Sequence, residues 1–456
     1  MIPTLDKQTR SLLLTLALGV FAGALDLSVL SPALPAIGRQ FVVPLGELAW
    51  IFTLYLLANV ASIAVAATLA DRYGRRTIYL YCISLFALGS LLAIAAPSYP
   101  LFLLARALQA LGAGGIFPVA TAAIGDVIPL EKRGAALGAV AATWGAAAVL
   151  GPTIGGIVTH ALSWRWIFAA NVPLAAWVFI RALRDVPTTA PRVRPPLDAI
   201  GLVTMTVGLL AAVAGITTLD PWLGIAGALV LVAFVLFERR IAHPIVPLSL
   251  FATPQLAKTY GLELLIGLLE GSLFFVPTVI VAAQHRNAIE AGGIAALGAL
   301  AFVAVIPISG KALDRIGSRS VLLLGSALTA LGLAIFALGF TSLLWSIVAM
   351  LVAGTGFGAL LGAPTRYIIT NAADAEHRST ALGFLSQALI VGQLIGGSLA
   401  GGLFDANHNH NAGFREAYIA FVVVAALALL LTTQLDSRAR ERREQGLSAR
   451  AEGGAA

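Results

Sequence analysis

Charged residues are scarce in this sequence. Asp, Glu, Lys and Arg make up 11% of the 456 residues, whereas about a quarter of the residues of a soluble domain are charged. Hydrophobic residues account for 59% and gather in runs of about 20 residues or more, the length of helix that crosses a bilayer. The short alternating segments of a membrane β-barrel do not occur. The composition therefore predicts an all-α polytopic membrane protein and excludes a soluble globular one.

Cysteine, metal-binding patterns and phosphate loops are also lacking. The single cysteine, Cys82, lies within an apolar run, so a disulfide framework is excluded. No Gly-Lys-Ser/Thr loop occurs, and ATP is therefore not expected as the energy source. His408 and His410 could bind a metal only with further ligands, so a solvated loop is the preferred interpretation. The sequence predicts no metal, no organic cofactor and no enzymatic activity.

Fourteen apolar runs are long enough to span a membrane. They lie at 11–38, 47–70, 77–96, 100–125, 134–160, 164–183, 199–219, 222–238, 256–283, 290–310, 319–340, 342–370, 379–404 and 414–434. Most of the 29 Lys and Arg residues fall in loops on the side of the two termini. Because Lys and Arg accumulate in cytoplasmic loops, we expect a protein of the cell membrane with both termini in the cytoplasm. Because the net charge of +7 is spread over these loops, nucleic acid is not an expected partner.

A repeat divides the chain. Residues 71–76 read Asp-Arg-Tyr-Gly-Arg-Arg, and residues 314–319 read Asp-Arg-Ile-Gly-Ser-Arg. Further correspondences at nearly the same offset are 133–138 with 378–383, 151–156 with 396–401, and Asp26 with Glu270. Two copies of one helical unit can open alternately to the two faces of a membrane, which is the architecture of a transporter.

The repeat predicts four regions. They are an N-terminal six-helix bundle over 1–185, a cytoplasmic linker with two inserted transmembrane helices over 186–252, a C-terminal six-helix bundle over 253–435 and a cytoplasmic tail over 436–456. The two inserted helices have no counterpart in the repeat and carry few polar side chains. We therefore expect them at the periphery, outside the transport path.

Each repeated turn combines an acid, arginines and a glycine. Glycine permits a tight turn, the acid can accept hydrogen bonds at a helix N-terminus, and arginine can pair with acids on neighbouring helices. We call these turns the first latch (Asp71, Arg72, Gly74, Arg75, Arg76) and the second latch (Asp314, Arg315, Gly317, Arg319). The functional interpretation is that they hold one conformation and release it in another. A topology signal with a turn glycine is the alternative, which the duplication makes less attractive.

Three acids lie well inside predicted spans: Asp26, Glu263 and Glu270. A carboxylate inside the bilayer is costly, so it is a candidate functional residue. Glu263 and Glu270 are two helical turns apart, which places them roughly 10 Å apart on the same side of one helix. These acids could bind protons or a cationic substrate. A static polar contact is the alternative for each of them.

Two further spans contain unusual residues. Arg106 must be paired or hydrated within the membrane, so it should face a polar cavity with Gln109 on the same side; a structural tether to a neighbouring carbonyl or acid is the alternative. The fifth span contains Gly145, Gly151, Pro152, Gly155 and Gly156. Its glycines allow close approach of backbones, and its proline could provide a pivot. A packed face of small residues is the alternative.

At these motifs the chain resembles the major facilitator superfamily over nearly its whole length. Residues 67–76 are similar to that family's signature Gly-x-x-x-Asp-Arg-x-Gly-Arg-Arg, except that Ala67 replaces the first glycine; Gly310 retains it in the second copy. The resemblance implies that the arginines and the acid of the first latch act together with Asp126, at the cytoplasmic end of the fourth span.

Two more segments narrow the resemblance. Residues 104–112 resemble the fourth-span motif of these transporters, which carries a buried arginine near the proton pathway. Residues 145–156 are similar to a fifth-span motif associated with export rather than uptake. With fourteen spans, the chain is similar to the drug:proton antiporter group that carries two inserted helices.

The resulting hypothesis is a proton-coupled antiporter that exports lipophilic or cationic small molecules by alternating access. Asp26 and Glu270 would exchange protons against substrate in a central cavity, while the latches break and re-form. Substrate, protons and the bilayer are the expected partners, and the chain is expected to act as a monomer. An exporter or flippase of lipids or glycolipids is the alternative, because the helices are strongly apolar. A receptor or scaffold without transport would have no use for three buried acids and a buried arginine.

Overall fold

The computed structural model describes residues 7–128, 130–188, 198–241, 251, 253–372, 378–406 and 409–436, and these residues are almost entirely helical. Most of the predicted linker, His408 and the predicted tail beyond residue 436 lie outside the described residues. The α-helices are α1 Lys7–Val29, α2 Leu34–Phe41, α3 Ala49–Tyr73, α4 Arg75–Ala95, α5 Tyr99–Val127, α6 Leu130–Ala161, α7 Arg165–Asp185, α8 Ala199–Thr218, α9 Pro221–Glu238, α10 Pro254–Leu273, α11 Val276–Gln284, α12 Ala288–Ile316, α13 Ser318–Gly339, α14 Leu343–Leu360, α15 Pro364–Ala372, α16 Arg378–Asp405 and α17 His410–Thr433.

Across these described ranges, 14 helical segments are long and apolar enough to cross a membrane, which confirms the predicted number. Three of these spans consist of two helices each: α1 with α2, α10 with α11, and α14 with α15. Proline stands in the first turn after the first two breaks, at Pro32 and Pro277. Proline lacks an N–H group and clashes with the preceding turn, so it ends a helix and can begin another. The first and ninth spans are thus interrupted at corresponding points of the repeat.

The contacts divide the chain into two compact units. Unit 1 comprises Met1–Pro247, Leu273–Ala296 and Gly397–Phe414, and unit 2 comprises Leu248–Ser272, Leu297–Gly396 and Arg415–Ala456. The boundary between the units falls inside helices α10, α12, α16 and α17. Unit 1 therefore contains the first copy of the repeat, the inserted helices and short segments of the second copy.

Within unit 1, α5 packs along α3 and α4, and α6 packs along α1. The inserted helices α8 and α9 form a hairpin, and α8 also touches α3. In α9 the buried residues are Gly227, Phe234 and Glu238, and most of its other side chains are exposed. This exposure suits a helix that faces lipid.

Within unit 2, α13 packs along α14, and α15 contacts both. Helices α10, α15 and α16 are joined by a cluster of buried residues: Leu256, Tyr260, Ile369, Ala381 and Leu385. This packing holds α15 beside the first half of α10, which leads to Glu263. The arrangement matters because it decides which side chains can reach this acid.

Candidate functional site

Asp26, Arg106 and Gln109 form one hydrogen-bonded group in unit 1. Asp26 lies in the last turn of α1, and the other two residues lie one turn apart on α5. Arg106 Nη1 donates to Asp26 Oδ2 at 2.5 Å, and Gln109 Nε2 donates to Asp26 Oδ1 at 2.8 Å. Arg106 Nη1 also donates to Gln109 Oε1 at 2.5 Å. All three residues are fully buried, so Arg106 pairs with an acid and does not face an open cavity.

Three more residues, which were not predicted from the sequence, complete this group. Asn171 Nδ2 on α7 donates to Asp26 Oδ1 at 2.7 Å, and Ser90 Oγ on α4 accepts from Gln109 Nε2 at 2.8 Å. The ring centre of Tyr55 on α3 lies 4.2 Å from Arg106 Cζ. An amide inside a span is a signal that could have identified Asn171. Serine and tyrosine are too common in membrane helices to stand out.

The charges of the group are unevenly compensated. The Asp26 carboxylate accepts hydrogen bonds from three side chains. The Nε and Nη2 atoms of Arg106 have no hydrogen-bond partner among the described residues, although aromatic rings lie against the guanidinium. Removing one partner of a buried ion pair typically costs about 3–5 kcal/mol, because the other charge is left uncompensated. Proton uptake by Asp26 would therefore loosen its hold on Arg106.

The corresponding acid of the second copy has a simpler environment. Glu270 Oε2 accepts a hydrogen bond from Gln393 Nε2 on α16 at 2.9 Å. Glu270 is partly exposed, whereas Asp26 is fully buried. Glu263 lies on the same helix, α10, and is 4% exposed. Gln393 is a buried amide within a span and could have been found in the same way as Asn171.

In the first latch, one arginine makes the ion pairs. Arg75 pairs with Asp71 four residues earlier, and its Nε atom lies 3.2 Å from Asp126 Oδ2 at the end of α5. Arg72 is exposed and Arg76 is partly exposed, and neither has an ion pair among the described residues. Arg75 is therefore the arginine of this latch that pairs with Asp126; the joint role of all three arginines that the resemblance implies stays a prediction.

The second latch repeats the backbone of the first. Gly74 and Gly317 have φ values of 93° and 83°, a region that favours glycine. Gly74 N donates to Ala70 O at 3.0 Å, and Gly317 N donates to Leu313 O at 2.9 Å. In the second latch, Asp314 and Arg315 are exposed and Arg319 is partly exposed. The turn is thus duplicated, although the surroundings of its charged side chains differ.

Replacing Arg75 by glutamine is expected to slow transport about tenfold. The substitution removes both ion pairs from the conformation that they stabilise. A loss of about 1.4 kcal/mol of stabilisation lowers the population of that conformation about tenfold. Initial transport rates, normalised to the amount of protein in the membrane, provide the measurement. Arg72→Gln is the matched control and should retain the wild-type rate, because Arg72 has no ion pair with any residue that the structure describes. Equal rates for the two variants would contradict a role for the Arg75 pairs.

Glycines of the fifth span bring α6 against α1. A Cβ atom at Gly151 would overlap the side chain of Ser28, and one at Gly155 would overlap the carbonyl group of Val29. On the other side, Gly156 lies against the carbonyl oxygen of Ala288. Pro152 and Gly145 lie on the same helix, and a Cβ atom at Gly292 would overlap the Pro152 carbonyl oxygen. These contacts agree with close backbone packing.

Gly155→Ala is expected to destabilise the protein by about 1–3 kcal/mol, because the added methyl group must push α1 and α6 apart. Gly138→Ala on the same helix is the control, since no atom lies within 4 Å of a Cβ at that position. Thermal unfolding in detergent should show a lower Tm for Gly155→Ala alone. A similar Tm for both variants would show that the helices yield without cost.

Unit 1 also contains contacts between residues of the two copies, which we call the seam: Ser31, Gly46, Phe52 and Thr53 with Phe274, Ser398 and Asp405. The hydroxyl of Ser31 donates to the carbonyl oxygen of Phe274. Gly46 N donates to Asp405 Oδ2 at 3.0 Å, and the hydroxyls of Thr53 and Ser398 are 3.0 Å apart. The rings of Phe52 and Phe274 stack with their centres 4.8 Å apart. The seam lies at the end of α3 opposite the first latch.

Comparisons with known sequences place these features in context. The sequence model of the Major Facilitator Superfamily matches residues 16–285 and 270–452 of this chain. The uncharacterized MFS-type transporter YfiU of Bacillus subtilis (strain 168) is 34% identical over 421 residues, which cover 88% of this chain and 81% of that protein. The multidrug transporter protein MdtP of the same organism is 30% identical over 425 residues, covering 89% of this chain and 77% of MdtP.

A solved structure has the same fold. The crystal structure of a D-xylose-proton symporter aligns with a TM-score of 0.71 and covers 94% of this chain and 99% of the symporter. The aligned sequences are 14% identical, so this likeness concerns the fold alone. It agrees with the predicted class of two six-helix bundles, to which this chain adds two helices.

Proposed function

The chain belongs to the major facilitator superfamily of membrane transporters, and from this premise we propose that it is a proton-coupled exporter of lipophilic or cationic small molecules. The protein is a multi-pass membrane transporter and not an enzyme. The proposal concerns its coupling ion, its direction and its substrates. It also includes placement in the cell membrane with both termini in the cytoplasm, which the distribution of Lys and Arg supports.

The observation that carries the proposal is the buried pair of Asp26 and Arg106. A carboxylate and a guanidinium within spanning helices cost free energy even when they pair with each other, so they are candidates for a role in transport. Uptake of a proton by Asp26 would neutralise the carboxylate and release Arg106, which changes the contacts between α1 and α5. Glu270 supplies a second acid at the corresponding position of the repeat. Alternate binding of protons and substrate at these acids would couple the two fluxes.

Two observations support export of apolar compounds. The glycines of α6 pack against α1 in the segment that resembles an export motif. MdtP, a relative over most of the chain, is named a multidrug transporter. Because polar side chains within the spans are few, recognition would depend mainly on apolar contacts and on the charges of the acids.

Transport by the purified protein in proteoliposomes tests the proposal. An imposed pH gradient should drive accumulation of ethidium or another fluorescent cation, and collapse of the gradient with an ionophore should stop it. Labelled phospholipids and glycolipids belong in the same panel. Movement of the lipids alone would replace the proposal by a lipid exporter. Transport of the cations at a rate independent of the gradient would contradict proton coupling.

A further inference from the structure

Glu263 is a buried acid whose environment differs from that of Glu270. The residue is 4% exposed, and its Oε2 atom has no hydrogen-bond partner within the described residues. The hydroxyl of Thr365 hydrogen-bonds to the Glu263 carboxyl group, and Arg366 is near enough to act on its charge. Leaving a buried carboxyl oxygen without a donor costs free energy, and glutamine or leucine would pack in the same place without a charge. The position therefore calls for an explanation beyond packing.

The neighbours of Glu263 connect it to the end of unit 2 that carries exposed charge. Thr365 is buried at the start of α15, and the next residue, Arg366, is exposed. Further along α10, towards Glu270, the wall is apolar: Gly267 packs against the backbone of Leu389. The titratable or charged side chains that act on Glu263 are Glu270 on its own helix and Arg366 on α15. On α16, Gln393 is bound to Glu270.

We propose that Glu263 is a second proton station, which passes protons between Glu270 and the water at the α15 end of unit 2. This inference rests on the proposed proton-coupled export and names a route for its protons. The two acids are two helical turns apart, roughly 10 Å, which is too far for a direct hydrogen bond, so intervening water must carry the proton. An O–H bond of Glu270 breaks as one forms on Glu263, and Glu263 then returns the proton to water.

Arg366 and Thr365 assist the second half of this step. Arg366 carries a positive charge near Glu263, and the Thr365 hydroxyl can donate to the carboxylate that remains after the proton has left. Glu270 itself needs no contact with that end of the protein. It can stay beside Gln393 and exchange its proton against substrate.

Two transport modes separate a proton station from a packing residue. Net transport of ethidium driven by a pH gradient requires protons to leave, whereas exchange of ethidium for ethidium at equal pH does not. Glu263→Gln preserves the size of the side chain. It is expected to lower gradient-driven transport about tenfold or more and to leave exchange within about twofold of wild type. Glu263→Asp keeps an acid and should restore part of the driven transport.

The outcomes distinguish a failure of the proton station at Glu263 from a failure of the proposed proton-coupled export. Driven transport by Glu263→Gln at the wild-type rate overturns the proton station, and so does an equal loss of both modes in Glu263→Gln and Glu263→Asp. Absence of driven transport in the wild-type protein contradicts the proposed function itself. Glu290→Gln is the matched control, because Glu290 is an acid at the surface and pairs with Arg286. It should retain both modes.

Discussion

Asp26→Asn is expected to abolish transport driven by a pH gradient while the protein remains in the membrane. Asparagine has nearly the same shape, but it cannot bind and release a proton. Because Arg106 then loses its counter-charge in a fully buried place, we expect a loss of about 3–5 kcal/mol of stability as well. Transport in proteoliposomes and thermal unfolding in detergent measure the two effects separately.

A double variant separates stability from function. Combining Asp26→Asn with Arg106→Gln removes both charges, so much of the lost stability should return, because a buried pair replaced by neutral groups is often tolerated. Transport should stay absent, since no group replaces the carboxylate. Glu290→Gln, which changes an acid with 41% side-chain exposure, controls for the loss of one negative charge. Undiminished driven export by Asp26→Asn would refute the assigned role of Asp26.

A disulfide across the seam is expected to stop transport almost completely. Thr53 and Ser398 come from different copies of the repeat, and their hydroxyl oxygens are 3.0 Å apart. If the copies separate at this point during transport, Thr53→Cys with Ser398→Cys should trap the closed seam after oxidation. The native Cys82 is first replaced by alanine, so that the introduced pair holds the only thiols. Transport should fall below about a tenth of the rate of the reduced protein, because a closed disulfide is not broken thermally.

Three controls support the interpretation of this experiment. Each single cysteine variant should transport normally after oxidation, and a reducing agent should restore the double variant. Ser28→Cys with Ala147→Cys links α1 to α6 within the first copy, where the Ser28 hydroxyl donates to Ala147 O at 2.8 Å. That bond should be tolerated, because it joins helices of one bundle. Full transport by the oxidised seam variant would show that the seam does not open.

The membrane architecture was predictable because its causes are local. Runs of apolar residues predict the spans, and the two turns at Gly74 and Gly317 predict the repeat; the structure contains the spans and both turns. Pro32 and Pro277 are visible in the sequence, but the break in the ninth span was not predicted. The candidate acids could be found for a similar reason, since a charge inside an apolar run stands out without knowledge of its partners.

The hydrogen-bond and ion-pair partners of the candidate acids depended on how the helices pack. By sequence, Arg72, Arg75 and Arg76 are equivalent candidates for Asp126, and only the position of each side chain on its helix singles out Arg75. Asn171 reaches Asp26 across 145 residues of chain. Sequence spacing alone cannot state that α7 and α1 are neighbours. Hydropathy, charge and glycine positions therefore determined the spans, the repeat and the candidate acids, whereas tertiary packing decided which donor meets each acid, because such pairs form between distant helices.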